Sequence, residues 1–329
     1  MMNNKFFADQ LDMDGHRWGY KDSTFKLNDD RSVTLQGSRY LLCGDKLPSF
    51  IPYIEDMLDI KIDFHAKRKE VINKPVTPPQ LNDSFVEAIK SHFSEEAYSF
   101  SDEDRLIHSH GQTTSEETCR VLYGAIDKVV DMVIYIETED CAQRVVALGA
   151  QHNVCLVPFG GGTSVSCALQ LPENESRMIV AVDTRRMNKI EWVNEKDRRA
   201  CVQAGIVGQE LEKQLAEKGF MMGHEPDSIE FSTLGGWIST NASGMKKNRY
   251  GNIEDIVENI TMITPTGQIN QLSAMARCSA GMRPHNILFG SEGNLGLITK
   301  ATIKVHRKPE CQEYNSIVFP TWQDGVDFL

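Results

Sequence analysis

From Asp131 onward the chain alternates short apolar runs with amphipathic ones. Met132-Val133-Ile134-Tyr135-Ile136 has the length and β-branched content of a buried strand. Thr138 then stands as an N-cap before a stretch, through about Gln151, in which Cys141, Val145 and Leu148 recur on one helical face. Asn153 to Pro158 is a second apolar strand that runs straight into Gly160-Gly161-Gly162-Thr163-Ser164, so the pattern predicts β-α-β followed by a glycine loop. Met178 to Val182 and Ala200 to Ala204 are further strands, and Gln209 to Lys218 is a helix with Leu211 and Leu215 inward and Gly219 as its stop. The charged connection Asn194 to Arg199 is the candidate boundary between two subdomains. Asn259 to Ile263 and Ile269 to Leu272, around Pro265-Thr266-Gly267, predict a hairpin. Thr299, Ala301, Ile303 and Val305 alternate with Lys300, Thr302 and Lys304, which predicts a half-buried strand ended by Pro309.

The two ends read differently. Residues 1–116 are polar and mixed, and Pro48, Pro52, Pro75, Pro78 and Pro79 cut any helix there into short pieces, so an irregular helical arm is expected. Residues 320–329 begin like a capped helix, with Thr321 as N-cap and Asp324 three residues on, and stop after two turns. They are expected to be the start of a further domain.

Composition narrows the partners. With 46 acidic and 35 basic residues the formal charge is -11, which argues against broad contacts to a phosphate backbone, so a small ligand is expected and nucleic acid is not. The eight cysteines show no C-x-x-C pair and are expected to be reduced core thiols of an intracellular protein. No run reaches the roughly 18 apolar residues of a membrane span. A soluble chain, or one resting on a membrane surface, is expected.

Three segments carry candidate chemistry. Pro158-Phe159-Gly160-Gly161-Gly162-Thr163-Ser164 lets consecutive backbone N–H groups converge on an anion such as a pyrophosphate, or is simply a tight glycine turn. It is neither a Walker loop nor a Rossmann fingerprint, lacking the Gly-Lys-Ser/Thr end of one and the spacing of the other. His224 to Trp237, followed by Thr240-Asn241-Ala242-Ser243-Gly244, has the density of glycine and short hydroxyl donors that suits a dinucleotide, or a polar loop. Gly290 to Ile298 is a glycine-rich turn before the terminal strand, suited to an adenine or ribose edge or to a bulge. His108 and His110 lack a neighbouring carboxylate or cysteine set in sequence, so no metal is expected. Lys246, Lys247 and Arg249 suit either a phosphate or a solvated patch.

These loops, in this order and at these separations, resemble the PCMH-type FAD-binding domain of the vanillyl-alcohol-oxidase superfamily. The wording is similar to the alkyldihydroxyacetone-phosphate synthase (alkylglycerone-phosphate synthase) family in Gly160 to Ser166, Gly205 to Leu211, Gly223 to Thr233, Ser243 to Asn248 and Tyr250 to Asp255. It extends to Trp18 to Ser23, Asp104-Arg105 and His108 to Gly111, so the resemblance covers nearly the whole chain. The resemblance implies an α+β fold: an arm over 1–116, a two-part FAD domain over 117–305 (117–193 and 194–305), and the start of a cap domain over 306–329.

It also implies noncovalent FAD held by four groups of residues. They are Pro158, Phe159, Gly160, Gly161, Gly162, Thr163 and Ser164; Asp227, Ser228, Ile229, Glu230, Phe231, Ser232 and Thr233; Thr240, Asn241, Ala242 and Ser243; and Glu292, Gly293, Asn294, Leu295, Gly296, Leu297 and Ile298. In the family the acyl chain of acyl-dihydroxyacetone phosphate is exchanged for a long-chain fatty alcohol, a peroxisomal step of ether-lipid synthesis with no net oxidation, in which flavin N5 is proposed as a covalent handle. A homodimer is implied too. The family's catalytic tyrosine, histidine cluster and phosphate-binding arginines belong to the cap, so residues 1–329 are expected to bind flavin without catalysing exchange. Where the family has Trp-Pro after the first strand, this chain has Ile136-Glu137. The competing expectations are an FAD-dependent 2-hydroxy-acid dehydrogenase and an inactive flavin-binding chain.

Overall fold

In the computed structural model, which describes Met13 and residues 19–66, 75–124, 126–270, 279, 281 and 284–329, two sheets share an apolar core. The first is Tyr98–Ser99, Met132–Tyr135, Ile179–Asp183 and Cys155–Phe159 in that spatial order; the last three run parallel and the short edge strand antiparallel. The second is antiparallel throughout: Gly267–Ile269, Val257–Thr264, Leu297–Lys304, Arg199–Gln203 and Ile190–Asn194. A mixed α+β fold results, as the sequence implied.

The parallel unit forms for the anticipated reasons. Thr138 Oγ1 accepts from the Cys141 N–H at 3.2 Å and starts the helix Glu139–Gln151, whose Ala142 and Val145 are fully buried. That helix lies on Met132, Ile134, Val180 and Val182 of the first sheet and on Ile263 and Leu297 of the second, so one apolar layer joins the two. The helix Gly208–Glu217 buries Leu211 and Leu215 completely, and Gly219, at φ +78°, ends it in the left-handed conformation that glycine tolerates best.

Four expectations need correction. The Asn194 to Arg199 turn closes a hairpin inside the second sheet, pairing Asn194 with Arg199. The Asn194 side-chain oxygen accepts from the N–H groups of Lys196 and Asp197, each at 3.1 Å, an Asx turn whose polarity resembles that of a linker. The passage between sheets therefore lies at 184–189. The supposed arm is built into the fold from about residue 83, because Phe85 and Ile89 on the helix Asp83–His92 are fully buried against Glu139–Gln151.

Leu297–Lys304 is covered on both faces, since it is a central strand and Glu139 at the start of the overlying helix reaches Lys300 at 3.0 Å. Of the seven described cysteines, all free thiols, only Cys201 is buried, while Cys119 and Cys311 are exposed; Cys278 lies outside the described residues, as do residues 271 and 272 of the expected hairpin. The terminal helix Trp322–Phe328 has the Thr321 cap and leaves Trp322 and Phe328 exposed. Among the described residues no helix is long and apolar enough to cross a membrane.

Because Phe85 is enclosed between helices, Phe85→Ala should lower unfolding stability by about 3–5 kcal/mol in urea titration. A loss under about 1 kcal/mol would place residues 83–92 outside the core.

Candidate functional site

The carboxyl end of Cys155–Phe159 delivers the chain into Gly160 to Ser164, directly opposite the segment Phe231 to Thr233 that leads into the helix Leu234–Thr240. A side chain at Gly161 would collide with the Phe231 carbonyl oxygen, so only glycine lets the two segments touch. Gly162, at φ +67°, turns the loop back, and its carbonyl accepts from Gln112 N–H at 2.7 Å. Thr184 N–H donates to the Phe159 carbonyl at 3.1 Å, fixing the strand end before the glycines. Among the described residues, none of the N–H groups of Gly160 to Ser164 donates to a protein acceptor, and the Ser164 hydroxyl oxygen is buried without a partner.

The second segment is braced from behind. Ser228, at φ +56°, accepts from the N–H groups of Phe231 and Ser232, and the Trp237 indole N–H donates to Ser232 Oγ at 2.8 Å. Thr233 caps Leu234–Thr240 by accepting from Gly236 N–H. The fourth segment docks on the far end of that helix, where Gly290 and Glu292 N–H groups donate to the Ile238 and Ser239 carbonyls. Ser166 Oγ donates to Glu292 Oε1 at 2.6 Å, closing the ring from fourth segment back to first.

An open cleft results where these segments meet. Pro158 to Ser164, Ser232, Thr233, Thr240, Glu292, Gly293 and Gly296 to Ile298 line it. The other expected residues stand elsewhere. Asp227 to Phe231 lie behind the wall, and Asn241, which ends the helix at φ +50°, leads Ala242 and Ser243 away from it, with Ser243 Oγ donating to Asn252. Asn294 and Leu295 line an adjoining depression with Val146 and Gly149.

Gly235, Gly236 and Trp237, which belong to the candidate stretch His224 to Trp237 but not to the expected contacts, line the cleft as well, and sequence reasoning missed Val157, Ala168, Leu169, Thr184 and Ser239. Thr233, Gly236 and Thr240 recur at helical spacing, a signal that one helix face was turned to the site. Thr184 carried no local signal; it is found only by knowing that its strand lies parallel beside Phe159.

Behind the glycine loop sits a buried ionic group that the sequence did not announce. Asp183 lies 2.6 Å from Arg185 and 2.9 Å from His108 Nε2, all three essentially without exposure. Burial alone would raise the Asp183 pKa, but the Arg185 guanidinium and His108 outweigh it and hold the carboxyl well below the usual range. His108 Nδ1 faces the Asp104 carbonyl at 2.7 Å and its ring packs on Phe159 at 4.4 Å. His108 therefore does have a carboxylate partner, brought from 75 residues away, and among the described residues no cluster suits a metal ion. His110 turns the other way, with Nδ1 on the Gly111 carbonyl. Lys246 pairs with Glu225 at 2.7 Å, and Arg249 sits by the Tyr250 ring.

Residues 130–273 match the family model described as FAD binding domain. The alkyldihydroxyacetonephosphate synthase of Caenorhabditis elegans is 41% identical over 95% of this chain and 52% of its own length, and that of Dictyostelium discoideum 39% identical over 79% and 42%. A solved alkyldihydroxyacetonephosphate synthase structure superposes with a TM-score of 0.83 at 32% identity, covering 92% of this chain and 54% of that one. The chain is an alkyldihydroxyacetonephosphate synthase homologue with an FAD-binding domain. It spans about half the length of the curated relatives it matches. Within that homology the cleft is where the FAD-binding domain model and the glycine segments coincide over Pro158 to Thr240.

His224 packs edge-on to the cleft residue Trp237 at 5.1 Å, and neither ring nitrogen has a partner among the described residues. Burial lowers its pKa to about 4. The neutral form is favoured in the fold, so its contribution is complete above the unfolded value of about 6.5 and is lost as pH falls toward the folded value. Between pH 7 and pH 4 the protein should lose about 3 kcal/mol more stability than a His224→Phe variant in parallel denaturation curves. Superimposable losses would show that the ring is hydrated.

Proposed function

We propose that the cleft binds FAD noncovalently, with its pyrophosphate over the N–H groups of Gly160 to Ser164. The observation that carries this is the convergence of unengaged backbone donors and the unpartnered Ser164 hydroxyl on one cleft. Thr163, Thr233, Ser239 and Thr240 add short hydroxyls around it. Among the described residues no histidine or cysteine lines the cleft, which supports a flavin that is held but not attached.

The activity we propose is that of the relatives' family: exchange of the acyl chain of acyl-dihydroxyacetone phosphate for a long-chain fatty alcohol, in ether-lipid synthesis, in a peroxisomal homodimer associated with a membrane surface. FAD, when bound, supplies the N5 chemistry. What these residues supply is binding, orientation and partial exclusion of water, because Glu292 is the one ionisable side chain among the described cleft residues and it is occupied by Ser166. Acid, base and phosphate clamp are not provided by the described wall. A polypeptide of residues 1–329 is therefore proposed to hold flavin without catalysing exchange.

Titration of FAD into Thr163→Val and Ser164→Ala should show affinity losses of roughly tenfold each, since each removes one neutral hydrogen bond worth about 0.5–1.5 kcal/mol. Gly161→Val is a poor probe, because the collision with Phe231 would disturb the fold first. Acid precipitation should release the flavin into the supernatant, and retention in the pellet would refute noncovalent binding. With labelled fatty alcohol the FAD-loaded 329-residue polypeptide should show no exchange; turnover, or bleaching of the flavin by a 2-hydroxy acid, would overturn the assignment.

A further inference from the structure

Gly19 and Tyr20, consecutive residues of the N-terminal arm, each reach one of the two segments that touch at Gly161. Gly19 N–H donates to Gln112 Oε1 at 3.2 Å, and Gln112 N–H donates in turn to the Gly162 carbonyl. The Tyr20 ring stacks on Phe231, with centroids 4.6 Å apart and planes 6° apart, while its hydroxyl donates to the Glu230 carbonyl at 3.1 Å. The Arg39 guanidinium also lies on the Tyr20 ring, 3.5 Å from its centroid. Tyr40 Oη donates to Glu230 Oε1 at 3.1 Å, and Gln209 Nε2 donates to the Arg39 carbonyl.

We propose that Tyr20 is a positioning residue of the cofactor site: by stacking on Phe231 it holds the second cofactor segment against the first, so that arm docking and FAD binding reinforce each other. The inference rests on the cleft being the FAD site. Tyr20, Phe231, Met13 and Ile107 form a small apolar cluster apart from the two large ones under the sheets. The contact is therefore separable from the general stability of the fold. Phe231 does not line the cleft, but its carbonyl is the atom against which Gly161 rests, and Ser232 and Thr233 follow it into the wall. Releasing the ring lets that carbonyl move and opens the spacing between the donors of the glycine loop and the hydroxyls opposite. By reciprocity, whatever factor the docked arm adds to FAD affinity, FAD must return to arm docking.

The test compares wild type, Tyr20→Leu and Tyr20→Phe by FAD titration, by melting of the FAD-free proteins and by hydrogen exchange of residues 20–40 with and without FAD. Tyr20→Leu should weaken FAD binding by about tenfold or more, a change of about 1.4 kcal/mol. Tyr20→Phe, which keeps the stack, should recover most of it. Adding FAD should slow exchange across residues 20–40 in wild type and in Tyr20→Phe but not in Tyr20→Leu, a response that a purely structural role for the ring would not produce. If Tyr20→Leu does not fold, Arg39→Gln relaxes the same ring from its outer face and should give a smaller loss in the same direction. FAD affinity unchanged in Tyr20→Leu while Thr163→Val weakens it, or absence of FAD-dependent protection in wild type, overturns the proposal alone. Unchanged affinity in both Tyr20→Leu and Thr163→Val overturns the cleft assignment as well.

Discussion

The close approach of Gly161 to the Phe231 carbonyl is the constraint on which the site depends. Gly161 leaves the end of the parallel sheet, Phe231 precedes a helix resting on the antiparallel sheet, and any side chain between them would separate the two walls by at least its own width. Gly205 meets the Thr184 carbonyl in the same way, so the two halves of the chain touch at two backbone contacts in addition to the apolar layer they share. The apolar layer shared by Ile134, Val182, Ile263 and Leu297 holds the sheets at that distance, and the unengaged N–H groups of Gly160 to Ser164 lie at the junction. Packing and the proposed binding site are here consequences of one geometry.

The ionic group around Asp183 makes sense against this background. Removing three charged or chargeable side chains from water is costly, and such a group often contributes little net stability compared with an apolar replacement of similar shape. What it does fix is position. Asp183 ends the strand next to Phe159, Arg185 opens the passage to the second sheet, and His108 comes from the helical segment below, so the three pin different stretches of chain at the base of the glycine loop. The Phe159 ring, held between His108 and Arg185, anchors the chain just before it enters the glycine loop.

Local pattern revealed the elements well where a single periodicity governed them. The Thr138 cap, the inward Leu211 and Leu215 and the hairpin around Gly267 each depend on residues a few positions apart. What was hidden depends on distant partners. The polarity of residues 75–116 concealed Phe85 and Ile89, because a helix that buries one narrow stripe can carry charge on the remainder. The alternation in Leu297–Lys304 identified one covered face but not the helix over the other. Likewise His108 gave no sign of Asp183, and Tyr20 none of Phe231, across separations of 75 and 211 residues. The glycine segments and the hydroxyl-rich wall around Ser232, Thr233 and Thr240 were found because both leave a mark in composition, whereas Thr184, brought in by strand pairing, leaves none.

The cleft is nearly without charge, and that follows from its construction. A dinucleotide's pyrophosphate can be met by lysine and arginine or by backbone N–H groups and hydroxyls. Side-chain cations bring flexible stems that lose rotamer freedom on binding, whereas a rigid turn presents donors already ordered. Among the described residues no lysine or arginine lines the cleft, Arg185 being engaged by Asp183 and Lys246 by Glu225. The same choice limits the chemistry. Neutral donors fixed by strand ends and a helix cap suit orientation of a cofactor better than proton exchange near neutral pH, and the one carboxylate among the described cleft residues is bound to Ser166. A holding site and a reacting site place opposite demands on side chains, and the described cleft residues match the holding role proposed for them.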